Sequence, residues 1–264
     1  MLNFHQTATD LMRVTRSVIP NLFTLANLFC GISAIVAAFE GHVSDAIWLI
    51  VTAGVFDALD GVVARLTRST SEFGVELDSL CDAVSFGVAP TILLYVTYPS
   101  TWQHTQWTLV VASLPALAGV LRLARFNVQL TSMEDKLYFR GMPIPAGAFT
   151  VISYIAIWHA QVPEPWRPHA LAAVSIITAL AMVSTIKYDN LPRPSIKAFR
   201  QRPIVFSVFF AGFVLCIVTK LAALFPFMML YMIGGALRHA FVFVRDRSDR
   251  DDSIDEGDPD PFTM

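Results

Sequence analysis

Charge is scarce in this 264-residue chain: 15% of its residues are Asp, Glu, Lys or Arg, against 55% that are apolar. That scarcity excludes an ordinary water-facing surface over most of the length. Cysteine is sparse too. Cys30, Cys81 and Cys216 all fall in apolar stretches, and their spacing excludes a disulfide framework or a thiolate metal site, so they are read as packing residues. The six histidines are scattered, with no pair at zinc-ligand spacing. The first eighteen residues carry Arg13 and Arg16 but no apolar core followed by a small-residue cleavage site, so a removable signal is not expected. No repeat of fixed period is visible, and no nucleic-acid partner is expected.

What the chain does have is long apolar runs. A membrane-spanning helix needs about 20 predominantly apolar residues. Eight runs qualify, near 19–40, 44–65, 78–98, 107–125, 144–161, 168–186, 203–220 and 222–243. The expectation is an all-α polytopic membrane bundle with about eight transmembrane helices. With that count, all of the 19 Lys and Arg residues except Arg167 and Lys220 fall on the side that holds both termini. The positive-inside rule therefore predicts cytoplasmic N- and C-termini, in an inner (cytoplasmic) membrane. Leu11, Met12, Val14 and Val18 predict a short interfacial helix over 1–18. The last residues, 246–264, hold eight of the 21 acidic residues and no hydrophobic pattern, and are expected to be a disordered acidic tail.

Against this background the stretch FDALDGVVARLTRSTSEFGVELDSLCD, residues 56–82, is anomalous. Asp57 and Asp60 are three residues apart and Asp78 and Asp82 four, so each pair shares one face of a helix. A helical hairpin closed by the polar link LTRSTSEFGVE would bring the pairs together, with Gly74 where the chain turns tightly or a neighbour approaches. Ionised carboxylates beside lipid cost several kcal/mol and repel one another, so they require cations. A set of carboxylates without His or Cys favours a hard divalent ion, Mg²⁺ or Mn²⁺, over zinc. Helix caps or boundary partners for Arg65 and Arg68 explain one such aspartate more easily than four.

The run Asp57-x₂-Asp60-Gly61-x₂-Ala64-Arg65-x₈-Gly74-x₃-Asp78-x₃-Asp82 resembles, at every defined position, the signature of the CDP-alcohol phosphotransferases. The resemblance covers roughly residues 18–190. It implies a six-helix core over 19–190, followed by a C-terminal pair of membrane helices over 191–245 to which it assigns no role. It also implies two divalent ions per site: Asp57, Asp60 and Asp78 as metal ligands, and Asp82 as a ligand and the general base. Gly61, Ala64, Arg65 and Gly74 would accommodate the CDP-linked lipid. The opening IPNLFTLAN, with Pro20 suited to a helix start and Asn21 to a cap, repeats polar residues at Asn21, Thr24 and Asn27. It is similar to the family's first span, where such residues help to hold the nucleotide.

Residues 122–148 narrow the resemblance. The Arg122-x₂-Arg125-Phe126-Asn127 and Phe139-Arg140-Gly141-Met142-Pro143-Ile144-Pro145 segments resemble those of bacterial phosphatidylserine synthases within the family. A guanidinium pairs with a carboxylate or phosphate through two parallel hydrogen bonds, so Arg122, Arg125, Asn127 and Arg140 are expected to bind serine or a phosphate. The implied partners are CDP-diacylglycerol, L-serine, membrane lipids and a second copy of the chain in a homodimer, with the active site facing the cytoplasm. Glycerol 3-phosphate or inositol as acceptor is the alternative within this chemistry. A cation-coupled secondary transporter is the alternative outside it.

Overall fold

The computed structural model describes residues 3–67, 71–103, 105–131, 139–188, 218–219 and 221–255. Span 203–220 and Cys216 lie almost wholly or wholly outside them, as do residues 256–264. The described chain is a helical bundle, and five of its helices are long and apolar enough to cross a membrane: Val18–Phe39, Val43–Thr67, Glu72–Thr97, Gln106–Val128 and Glu164–Val183.

Helix α1 (Asn3–Phe39) is one unbroken element of 37 residues, with Pro20 inside it. This corrects the expectation that Pro20 opens the first helix and Asn21 caps it. The N-terminal segment and the first span also form one helix. Proline lacks an N–H and so removes one rung of the ladder, but so long a helix, packed along its neighbour, carries that local loss. The end of α1 is sharply set. Gly41 N donates to Ala38 O and His42 N to Ala37 O, with Gly41 at φ +81°. This paired closure needs a left-handed residue, which glycine adopts freely. The three-residue turn sends α2 (Val43–Thr67) back along α1. Ala34, Ala38, Ala46 and Ala53, all buried, let the two helices approach closely.

Helix α3 (Glu72–Thr97) begins at an N-cap, Ser71, whose Oγ accepts from Gly74 N at 3.0 Å. Immediately after Asp82 it widens into a π turn, Ala83–Val88, before resuming as an α-helix. Helix α4 (Gln106–Thr131) contains Pro115, which deprives the Val111 carbonyl of its partner one turn back. The buried Ser175 hydroxyl of α6 (Arg167–Val183) donates to that carbonyl, which ties the two helices together at the proline. Helix α5 runs as Ile144–Ser153, a π turn Tyr154–Trp158 and a last turn His159–Gln161. Its first segment is largely enclosed, with Ile144, Gly147, Val151 and Ile152 buried among the other helices. Arg167 closes the α5 end by donating to Val162 O at 3.0 Å and Ala160 O at 3.3 Å.

A two-residue antiparallel ladder links the ends of α4 and α6: β1 (Phe139–Arg140) pairs with β2 (Lys187–Tyr188), setting Arg140 opposite Lys187. Gly141, at φ +83°, continues it with N–H donation to Ile186 O at 3.0 Å. Helix α7 (Leu224–Asp255) docks its first turn on α5, where Phe225 meets the rings of Tyr154 and Trp158. Its length corrects the expectation of a disordered tail from residue 246, because the helix continues to Asp255. Asp246 precedes Arg250 by four positions and Arg247 precedes Asp251 by four, a spacing of opposite charges that favours helix. Outward from the bundle, Leu22, Phe29, Trp107 and Leu180 stand exposed, the arrangement expected where lipid is the solvent.

Candidate active site

The hairpin of α2 and α3 brings three of the four aspartates together. Carboxylate oxygens of Asp57, Asp60 and Asp78 all lie within 4.8 Å of one another. Asp60 is buried and accepts from Thr24 Oγ1 at 2.9 Å. Asp78 Oδ1 is buried with no hydrogen-bond partner among the described residues. Asp82, one turn further along α3 and also buried, accepts from Asn27 Nδ2 at 3.1 Å. It stands beside the cluster of three rather than within it.

The arrangement fits a hard divalent cation on its own chemistry. Its donors are oxygens from three carboxylates, without a thiolate or imidazole among them. The orphaned Asp78 oxygen requires compensation, since a buried unpaired acceptor costs on the order of 1–3 kcal/mol.

A cleft of about 190 Å³ opens beside the cluster. Helix α1 lines it with Pro20, Asn21 and Thr24, α2 with Asp60, Gly61, Ala64 and Arg65, and the start of α3 with Ser71, Gly74, Val75 and Asp78. Both glycines keep space open. A Cβ on Gly61 would come within 3.4 Å of Arg65 Nη1, and one on Gly74 within 3.2 Å of Ser71 Oγ and 3.4 Å of Asn21 Oδ1. Gly74 sits in the first helical turn of α3, so of its two expected roles the close approach of a neighbour applies and the tight turn does not. Asn27 does not line this cleft, although Asn21 and Thr24 do.

The four residues expected to meet the acceptor are dispersed in their contacts. Arg122 is buried, with its guanidinium 5.7 Å from the Phe126 ring centre. Arg125 is exposed and donates to Val183 O at 3.2 Å. Asn127 exchanges hydrogen bonds with Ser79 at 3.1 and 3.2 Å and donates to Glu76 Oε2 at 3.4 Å, which ties α4 to α3. Arg140 is placed by its backbone in the ladder. Sequence reasoning missed Ser71 and Ser85. A serine three positions before Gly74, at the start of an apolar run, is a capping signal that would have found Ser71. Ser85, buried and donating to Asn27 O at 3.0 Å, gives no local signal, because its contact depends on what α1 presents to it.

Fold and site together define an integral membrane protein built around a carboxylate cluster at the end of a helical hairpin. The chain belongs to the CDP-alcohol phosphatidyltransferase family, whose pattern matches residues 17–187. It is 36% identical over 231 residues to a CDP-diacylglycerol–serine O-phosphatidyltransferase of Helicobacter pylori, covering 86% of this chain and 92% of the relative. To the protein of the same name from Mycobacterium tuberculosis it is 34% identical over 224 residues, 83% of this chain and 75% of the relative. An archaetidylserine synthase of Methanothermobacter thermautotrophicus is 34% identical over 176 residues, 66% of this chain and 70% of that protein.

Proposed function

We propose that the chain transfers the phosphatidyl group of CDP-diacylglycerol to the hydroxyl of L-serine, forming phosphatidylserine and CMP. The observation that carries the proposal is the Asp57, Asp60 and Asp78 cluster opening onto a cleft, with Asp82 buried beside it. A pair of Mg²⁺ or Mn²⁺ ions on this cluster would screen the diphosphate and stabilise the leaving phosphate. Asn21, Thr24, Gly61, Ala64, Arg65 and Gly74 hold the CDP head in the cleft, with the acyl chains between helices. Arg122, Arg125 and Arg140 meet the serine carboxylate or the lipid phosphate, and Asn127 steadies the wall that carries them. Asp82 takes the hydroxyl proton as the serine oxygen forms its bond to the phosphatidyl phosphorus. The bond from that phosphorus to the bridging oxygen breaks, and CMP leaves with the oxygen.

In this reading the chain crosses the inner membrane eight times, with six helices in the core and two beyond it. Both termini and the site face the cytoplasm, where serine is dissolved, and two copies form a dimer. The seventeen basic residues on one side of the eight-span arrangement support the orientation.

The test is CMP release by the purified full-length protein from CDP-diacylglycerol, offered L-serine, glycerol 3-phosphate or inositol, with and without Mg²⁺ or Mn²⁺. Release with serine and a divalent ion, lost in Asp82→Asn, is the expected result. Release only with another alcohol would replace the acceptor. Cation-driven solute uptake with no CMP formed would replace the enzyme by a transporter.

A further inference from the structure

Asn27 is fully buried on α1, in the middle of a membrane-length helix, and its Oδ1 has no hydrogen-bond partner among the described residues. Burying an amide with one side unsatisfied costs on the order of 1–3 kcal/mol, so its presence calls for a compensating role. The cleft is lined from α1 by Pro20, Asn21 and Thr24 and reaches neither Asn27 nor Asp82, which lie together beyond it. What Asn27 does touch is Asp82. A carboxylate oxygen can only accept, so the amide turns Nδ2 toward Asp82 Oδ1, at 3.1 Å.

The Asn27 position is itself locked to α3. Its backbone carbonyl accepts from Ser85 Oγ at 3.0 Å. Ser85 is fully buried and lies in the π turn Ala83–Val88, which starts at the residue after Asp82. One turn further along α1, Gly31 makes room for it: a Cβ there would fall 2.8 Å from Ser85 Cα and overlap its side chain. Asn27, Gly31 and Ser85 thus interlock α1 and α3 at the level of Asp82. The interlock engages Asp82 through its Oδ1.

We propose that Asn27 is a positioning residue for the reaction, clamped by Ser85 and Gly31, which orients the Asp82 carboxylate toward the acceptor hydroxyl. The inference rests on the reading of Asp82 as the base. Misplacing a reacting group by about 1 Å costs on the order of 100-fold in rate, so loss of the clamp acts on turnover and leaves nucleotide binding alone.

The test uses full-length protein in nanodiscs, with KM and kcat measured for CDP-diacylglycerol and L-serine. Asn27→Leu should lower kcat by roughly 10- to 100-fold while the KM for CDP-diacylglycerol stays within about threefold. Asn21→Ala, at the cleft wall, should show the reverse division. Ser85→Ala keeps the Asn27 amide but removes the hydrogen bond that clamps its backbone, and should lower kcat by about three- to tenfold with KM unchanged, which decides the matter if Asn27→Leu does not fold. A raised lipid KM with preserved kcat in Asn27→Leu would make Asn27 a nucleotide contact and overturn the inference, as would full activity in Asn27→Leu or in Ser85→Ala. Asp82→Asn separates the two levels: an active Asp82→Asn protein removes the base, whereas an inactive one beside a fully active Asn27→Leu protein removes only the clamp.

Discussion

Replacing Asp78 by asparagine is predicted to stabilise the metal-free protein while abolishing its activity. Oxygens of Asp57, Asp60 and Asp78 lie within 4.8 Å of one another. At that separation two unit charges in an effective dielectric of about 20 repel by roughly 3.5 kcal/mol, and three such pairs by roughly 10 kcal/mol. Taking up one proton at pH 7 costs about 4 kcal/mol against a reference carboxyl pKa near 4 and removes two of the pairs. The metal-free cluster therefore carries roughly 7–8 kcal/mol of unfavourable energy. Asp78→Asn removes the same two pairs without the proton, leaving roughly 3.5 kcal/mol, and its amide can donate to a neighbouring carboxylate. The gain is up to about 4 kcal/mol, an upper value because headgroups and water at the cleft screen the charges.

The assay is thermal unfolding of purified protein in detergent, in chelator and then with Mg²⁺ or Mn²⁺ added. Wild type should unfold at a lower temperature in chelator and rise sharply with the divalent ion, since a ligand that binds only the folded state stabilises it by mass action. Asp78→Asn should start higher and rise little. A variant that melts below wild type in chelator, or keeps the full metal-dependent rise, would refute the view that mutual repulsion at this cluster is relieved by a cation.

Ser175→Ala should cost about 1–2 kcal/mol, because the Val111 carbonyl freed by Pro115 loses its partner inside the bundle; denaturant unfolding in mixed micelles measures it. Gly141→Ala should destabilise by about 2 kcal/mol or more, combining a left-handed backbone at φ +83° with a Cβ driven into the Met182 carbonyl oxygen. Loss of folded yield on size exclusion would report it, and wild-type unfolding behaviour would contradict the geometry. Arg125→Ala removes an exposed bond to Val183 O and should change stability by less than about 1 kcal/mol. The same variant should raise the KM for serine about tenfold, the cost of one charge-assisted contact. An unchanged KM would exclude Arg125 from the acceptor site.

Much of the site was legible in the amino-acid sequence because its information is local. The three- and four-residue spacings of Asp57, Asp60, Asp78 and Asp82 put each pair on one helix face whatever surrounds them. The polar link required a hairpin, and the structure gathers Asp57, Asp60 and Asp78 as that hairpin demands. Pro20 and Gly74 misled because each was read by its usual local role, while packing decided otherwise. Pro20 stands inside a helix whose later turns pack against α2, and Gly74 lies within the first turn of α3, close against Ser71 and Asn21, rather than bending the chain. The last turns of α7 were missed because low hydrophobicity outweighed a helical spacing of opposite charges.

The sequence by itself determined that the chain is a membrane bundle and that its acidic residues fall in two helical pairs, since apolar length and residue spacing survive any arrangement of neighbours. Only the tertiary structure decided which polar side chains of α1 meet which carboxylates: Thr24 goes to Asp60, and Asn27 to Asp82. Those pairings join residues 36 and 55 positions apart. They depend on the rotation of α3 about its axis, which the π turn after Asp82 and the bare face of Gly31 set by contact between helices.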